Sequence, residues 1–228
     1  MKKDKQSISV IIPTFNSATY LQAALQSVLL QTRPAEEIIV IDDGSTDNSK
    51  EVVAEFKVNY FFQENKGAAT ARNKGAEIAQ GNLLAFLDAD DLWMPNKLAQ
   101  QAEKLASNHS IDMVFGFVEQ FISPELPEIV KNKLFCPSEA KPGYLPTTLM
   151  IRKSSWLKAE SMNTSLQVGE FIDWYMKAKE KGLQSEMLPE LLAKRRLHQN
   201  NQGVLKRNAR VDYLRLLKAR IARKREIN

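Results

Sequence analysis

Three carboxylates close an apolar run at residues 83–91, Leu-Leu-Ala-Phe-Leu-Asp-Ala-Asp-Asp. Four to eight apolar residues ended by a polar break read as a buried strand. The C-terminal ends of strands are where open α/β sheets hold their ligands. Asp88, Asp90 and Asp91 repel one another at such an end unless a cation intervenes, and carboxylate oxygens suit Mg²⁺ or Mn²⁺. A divalent ion held by one or two carboxylates completes its shell with substrate phosphates. The chemistry indicated is a metal–diphosphate site. Helix capping is the competing use of these residues, with Asp91 before Leu-Trp-Met-Pro as the cap.

Two further strand ends carry polar clusters. The run Glu37–Ile41 stops in Asp42-Asp43-Gly44-Ser45, and Ser7–Ile12 stops in Pro13-Thr14-Phe15-Asn16. A carboxylate at such a turn can accept from a base N–H or a ribose hydroxyl, although Asp and Gly are also ordinary turn residues. Asn65 to Gly75 opens a helix with small residues, where Gly67 and the helix N-terminus can approach an anion and Arg72 offers a fixed cationic fork. Neither the Gly-x-x-x-x-Gly-Lys spacing nor Gly-x-Gly-x-x-Gly occurs.

The elements that must position these residues alternate. Strands are expected at Ser7–Ile12, Glu37–Ile41, Val58–Phe62, Leu83–Leu87 and Asp112–Val118. Between them lie helices at Ala18–Leu30, from a cap at Asp47 to Phe56, at Ala68–Ala79, and from Pro95 in a first turn to about Ser107. This alternation implies parallel βαβ units in an α/β fold with a doubly wound, Rossmann-like, mostly parallel sheet flanked by helices. Residues 119–148, with five prolines, read as a variable loop region with short strands at most. A strand near Thr147–Ile151 and a helix from Glu170 to Lys181 follow.

Over 228 residues the composition is that of a globular chain of one domain with appendages. No apolar run reaches the roughly 18–20 residues of a spanning helix, and the N-terminus is too short in apolar residues for a secretory signal. Cys136 is the only cysteine, which excludes an internal disulfide and a thiolate zinc site and makes the cytosol the expected location. Net charge is +5, but residues 195–225 carry eleven Lys/Arg against Asp212 alone, a net +10 that leaves about −5 elsewhere. Val204–Arg225 reads as a basic amphipathic C-terminal helix with Val211, Leu214, Leu217 and Ile221 on one side. It suits packing on the body or a second subunit, or peripheral contact with an anionic membrane face. No nucleic-acid reader motif accompanies the charge, so no nucleic acid is expected as partner.

Taken together, Val10 to Asn16, Ile41 to Asp47, Asn65 to Gly75 and Phe86 to Asp91 resemble the family 2 glycosyltransferases, closely over residues 7–118 and more weakly to 203. The resemblance implies a GT-A fold over residues 1–203, with a nucleotide-sugar-binding half (7–118) and an acceptor and catalytic half (119–203). The basic segment 204–228 stands outside it. It further implies transfer of a sugar from a nucleoside-diphosphate sugar, commonly UDP-linked, with inversion, Mg²⁺ or Mn²⁺ as cofactor, and a saccharide, lipid-linked or other hydroxyl acceptor. By similarity Pro13, Thr14 and Asn16 border the nucleoside pocket, Asp43 faces the base, and Arg72 helps hold the nucleotide. Asp88 contacts ribose or sugar, and Asp90 and Asp88 ligate the metal, with Asp91 as a further helper. Arg196 and His198, in Arg195 to Asn201, match a segment that closes over the diphosphate. The family's base sits in a Glu-Asp pair opening a late helix, and here Glu170 is followed by Phe171. Glu170 is the expected base and Asp173 the second candidate; both also suit the first turn of a helix as acids complementing its dipole.

Two other readings stand beside this one. A nucleotidyltransferase would want a glycine-rich basic loop after the first strand, which Asn16-Ser17-Ala18 does not supply. A nucleotide-sugar-binding scaffold without turnover is the reading that Phe171 suggests.

Overall fold

The computed structural model describes residues 6–166, 168–199 and 201. Its first half is built from β1 (Ile8–Thr14), α1 (Ala18–Leu29), β2 (Glu37–Asp42), α2 (Ser49–Ala54), β3 (Asn59–Phe62), α3 (Ala68–Ile78) and β4 (Leu83–Phe86). β-branched and leucine runs make β1, β2 and β4, which are buried almost throughout because helices cover both faces. Alternate residues serve opposite layers. Ile8, Val10 and Ile12 of β1 pack with Leu21, Leu25 and Val28 of α1, while Ile11 joins Ala71 and Ala76 of α3 on the other face. Gly75 allows the close approach of α3, since a Cβ there would lie 2.4 Å from Ile11 Cγ2.

The second half comprises β5 (Leu92–Trp93), α4 (Lys97–Ser107), β6 (Met113–Ile122), α5 (Glu128–Lys131), β7 (Lys141–Gly143), β8 (Met150–Arg152), α6 (Lys153–Ala159), α7 (Glu170–Glu180) and β9 (Ser185–Leu197). The sheet runs β3-β2-β1-β4-β8-β6-β9-β5, with β7 also paired to β6. Strands β1, β2, β3 and β4 are mutually parallel; β8 runs against β4 and β6, and β9 lies parallel to β6. Six strands therefore share one direction, and β5, β7 and β8 oppose it.

The sequence-based expectations need several corrections. Residues 119–148 are more ordered than a loop, because β6 continues to Ile122 and α5, β7 and a 3₁₀ turn at Pro146–Thr148 follow. The helix after Asp47 has Asn48 at its N-cap position and ends at Ala54. Asp47 instead accepts from Ser49 N (3.0 Å) and Ala18 N (3.0 Å), tying the starts of α1 and α2 together. Pro95 precedes the helix, whose N-cap position is Asn96, and its carbonyl accepts from Thr32 N at 2.9 Å. Asp91 caps no helix, since β5 begins at Leu92. The expected helix at 204–225 lies outside the described residues. Among the described residues no helix is long and apolar enough to cross a membrane.

Candidate active site

The chain leaves β1 toward β2 and β3, then returns to pair β4 on the opposite side of β1. That reversal opens a crevice beyond the C-terminal ends of β1 and β4. Register brings the polar clusters to one level: Thr14 pairs with Asp42, Asp43 N donates to Thr14 O at 2.8 Å, and Leu87 N donates to Ile11 O at 3.0 Å.

On the β2 side of the crevice, carboxylates are satisfied by nearby loops. Asn16, in the left-handed region (φ 48°) that asparagine tolerates, accepts from Thr46 N at 2.8 Å and donates its own N–H to Ser45 Oγ at 2.9 Å. Buried Asp42 accepts from Ser45 N and Tyr60 Oη, both at 2.8 Å. Burial raises the Tyr60 hydroxyl pKa, and the adjacent Asp42 carboxylate adds to it. Asp43, 3% exposed, accepts from Gln63 Nε2 (2.7 Å), Lys66 N (2.9 Å) and Gly67 N (2.7 Å). A carboxylate has about four acceptor sites; three are used here, so Asp43 fixes the entry to α3 and keeps one site on Oδ2. Thr14 is buried beside it, and Pro13 holds the strand end in extended form.

Beyond β4, the carboxylates meet residues far away in sequence. Arg72, 5% exposed on α3, donates from Nη2 to Asp88 Oδ1 at 2.6 Å and from Nη1 to Glu170 Oε1 at 3.1 Å. Burial disfavours its cation, but the charges of Asp88 and Glu170 outweigh this and raise its pKa. Glu170 begins α7 after Gly169, whose φ of 79° is the left-handed conformation glycine accepts. The helix dipole favours the carboxylate there. Asp173 is also in the first turn but buried, and it pairs with Lys177 of its own helix at 2.7 Å. Phe171, where the resemblance implies an acid, is 5% exposed and packs on Phe115 and Trp174.

Asp90 Oδ2 meets His198 Nε2 at 2.9 Å and Asn201 Nδ2 at 3.1 Å. Asp91 is buried and accepts from Arg196 N at 3.0 Å. Burial pushes its carboxyl well above the usual range, and the charges of Asp90 and Asp88 push it further. The Arg196 guanidinium donates to the Asp90 carbonyl (2.9 Å) and Ser123 Oγ (3.1 Å), lying 4.8 Å from the Tyr20 ring and 4.7 Å from Phe121. Tyr20 also packs against His198, with ring centroids 4.6 Å apart. Arg196 thus braces the Asp88–Asp91 turn from within. The framework is β9, set between β6 and β5: Phe121 pairs with Arg196, and Leu92, directly after the acidic turn, pairs with Lys194.

Sequence reasoning missed Tyr20, Phe121, Ser123 and Asn201. Asn201 follows His198 by three residues, which is a usable signal; the others come from separate elements and leave none. His109 is exposed.

Among the described residues no group of three His, Cys, Asp or Glu side chains is placed to ligate a metal. The donor set still fits an ion shared with phosphates. Asp88 has Oδ1 on Arg72 and Asp90 has Oδ2 on His198 and Asn201. The other oxygen of each accepts from no described residue, and hard carboxylate oxygens suit Mg²⁺ or Mn²⁺.

The chain matches the profile of Glycosyl transferase family 2 over residues 9–163, and it belongs to that family. It is 42% identical over 105 residues to the putative teichuronic acid biosynthesis glycosyltransferase TuaG of Bacillus subtilis, covering 43% of this chain and 42% of that one. It is 36% identical over 144 residues to the Escherichia coli UDP-Glc:alpha-D-GlcNAc-diphosphoundecaprenol beta-1,3-glucosyltransferase WfgD, covering 58% of this chain and 56% of that one. The chain spans between 16% and 56% of the length of such relatives. Its fold is that of S. aureus TarS. The UDP-GlcNAc complex of TarS residues 1–349 superposes with a TM-score of 0.68 at 22% identity, over 86% of this chain and 60% of that one. The UDP complex gives 0.67 at 21% identity, over 85% and 61%.

Proposed function

We propose that this chain transfers a sugar from a UDP-linked donor to a hydroxyl acceptor, with inversion at the anomeric carbon. The observation that carries this reading is the meeting of Asp88 and Glu170 on one buried arginine at the crevice mouth. One carboxylate comes from the donor half and the other from the catalytic half. The fold shared with structures that hold UDP and UDP-GlcNAc supports the donor class. The similarity to WfgD, a UDP-Glc:alpha-D-GlcNAc-diphosphoundecaprenol beta-1,3-glucosyltransferase, supports a saccharide or lipid-linked saccharide acceptor.

In this reading the loop fixed by Asp43, with Pro13, Thr14 and Asn16, receives the nucleoside. The acceptor oxygen attacks C1 as the bond from C1 to the diphosphate oxygen breaks, the electron pair leaves with UDP, and the acceptor proton passes to Glu170. A single in-line displacement inverts the centre. Asp90 and Asp88 would hold Mg²⁺ or Mn²⁺, which when bound screens the charge gathering on the departing diphosphate. His198, beside Asp90, adds a donor near the same charge. We place the reaction in the cytoplasm, with segment 204–225 as the candidate for dimer or peripheral membrane contact.

The test is UDP release from a panel of UDP-sugars in the presence of Mn²⁺ and simple glycoside acceptors. Release from one donor, with an inverted product, is expected. UDP binding without release across the panel would favour a nucleotide-sugar-binding scaffold instead.

A further inference from the structure

Arg72 is the most deeply buried cation of the crevice, with a side chain 6% exposed. Its two terminal nitrogens are each committed to a carboxylate, Asp88 at 2.6 Å and Glu170 at 3.1 Å. Among the described residues Nε finds no acceptor, and it too is shut off from solvent. A phosphate could reach this guanidinium only by displacing a carboxylate from it. The stem is fixed as well: Gly75, one turn along α3, lets the helix lie against Ile11 of β1, which sets Arg72 over the ends of β1 and β4.

The charge balance of the three groups has a direct chemical reading. Asp88 and Glu170 together carry two negative charges around one cation, so the unit is net −1 when both are ionised. Arriving from residues 88 and 170, these carboxylates have nothing in common except this arginine. Without it, two like charges would face each other in a partly dehydrated crevice, where their repulsion is poorly screened. With it, the guanidinium fork separates the two carboxylates and keeps their oxygens aimed.

We infer that Arg72 is a positioning residue that acts through Glu170, locking the base to the donor-side carboxylate Asp88, and that it is not a ligand of the nucleotide. The inference rests on the transferase reading, in which Glu170 is the base. It separates two roles an arginine at this place could have. A nucleotide ligand contributes to UDP affinity. A positioning residue leaves that affinity alone and governs turnover. The guanidinium is also a bridge that a lysine cannot copy, since an ammonium is one compact charge without a planar fork.

The experiment uses the full chain, measuring UDP affinity by calorimetry without added metal and, with Mn²⁺, UDP release from UDP-GlcNAc and UDP-glucose, for wild type, Arg72→Gln, Arg72→Lys, Glu170→Gln and the double variant. Arg72→Gln is expected to lower kcat about 100-fold or more while UDP affinity stays within about threefold, and Arg72→Lys to recover part of kcat. In the Glu170→Gln background, removing Arg72 should cost little more, because residues acting as a unit are not additive. A loss of UDP affinity of about tenfold or more in Arg72→Gln, or full additivity of the two losses, overturns the inference. If Arg72→Gln does not fold, Arg72→Lys decides by the same split between kcat and UDP affinity. Wild type that binds UDP but releases none from either donor sinks the transferase reading and takes this inference with it. A wild type that turns over beside an Arg72→Gln variant that loses UDP affinity sinks the inference alone.

Discussion

The two walls of the crevice are stabilised in opposite ways. At the end of β2, Asp42 and Asp43 are held by Ser45, Gln63, Lys66 and Gly67, all within 24 residues of them in sequence. Past β4, Asp88 and Asp90 find partners chiefly across the fold: Glu170 reaches Asp88 through Arg72, and His198 and Asn201 come from 108 and 111 residues away. The first wall is a set of self-contained turns whose hydrogen bonds are local in sequence. The second exists only once β6, α7 and β9 have closed over it, so its chemistry depends on the completed fold. In the proposed reading the first wall receives the nucleoside while the second holds the base and the diphosphate-side carboxylates, and substitutions should separate the nucleoside contribution from turnover.

The largest separation is expected from Glu170→Gln. UDP release should fall about 10³-fold, within the range a general base contributes, with UDP affinity nearly unchanged by calorimetry. If Asp173→Asn produces that pattern and Glu170→Gln does not, the base has been misassigned. Asp43→Ala should do the reverse, because it strips acceptors from two backbone N–H groups and Gln63. A buried donor left unsatisfied costs about 1–3 kcal/mol, so we expect a loss of about 3 kcal/mol, a melting point lower by about 6–12 °C, and weakened UDP binding.

Smaller effects test the bracing behind the second wall. Tyr20→Leu removes one of two rings flanking Arg196 and the ring against His198. A cation–π contact of this kind is worth about 0.5–1 kcal/mol, and thermal melting should drop by about 2–4 °C with a modest rise in donor KM. An unchanged donor KM would detach Tyr20 from the site. Lys97 provides the smallest effect and a control away from both walls. It is fully buried, bonded to Gln101 Oε1 at 2.7 Å and 4.1 Å from the Trp93 ring centre. Burial drives its pKa well below the usual lysine value. A base with a depressed folded pKa contributes stability that is present above its unfolded pKa and lost as pH falls through the folded one. Lys97→Met should therefore raise the melting point at pH 7 by about 2 °C, with the gain shrinking as pH rises towards the unfolded lysine value of about 10.4 and gone above it, and leave UDP affinity unchanged. A lower melting point at pH 7 would mean that the Gln101 and Trp93 contacts outweigh the burial cost.

The same contrast explains what could be read before folding. β1, β2 and β4 announce themselves by apolar runs cut off by polar residues, and the turn glycines and aspartates of the first wall are local in sequence. Asp88 and Asp90 are singled out by their place at the end of an apolar run, and Glu170 by the family resemblance and its place at the start of a helix. β9 was not legible: Lys194, Arg195 and Arg196 interrupt any apolar pattern, and its strand character comes from pairing with β6 on one side and β5 on the other. In residues 119–148 the prolines suggest loop with short strands, and the short β7, with Pro142 opposite Phe117, fits; the run of β6 to Ile122, α5 and the 3₁₀ turn opened by Pro146 carry no such signal. The inward turn of Arg72 and Arg196 was hidden for a related reason. An arginine motif gives a cation, but whether it faces a phosphate or a carboxylate depends on partners about a hundred residues away.

The part of the proposed function that a single binding measurement tests most directly is that Asp90 and Asp88 share a divalent ion with a donor diphosphate. UDP affinity measured with and without Mn²⁺, in wild type and in Asp90→Ala, addresses it most directly. Mn²⁺ should tighten UDP binding about tenfold or more in wild type and leave Asp90→Ala unaffected. Equal affinity with and without Mn²⁺ in wild type, or an undiminished Mn²⁺ effect in Asp90→Ala, would contradict it.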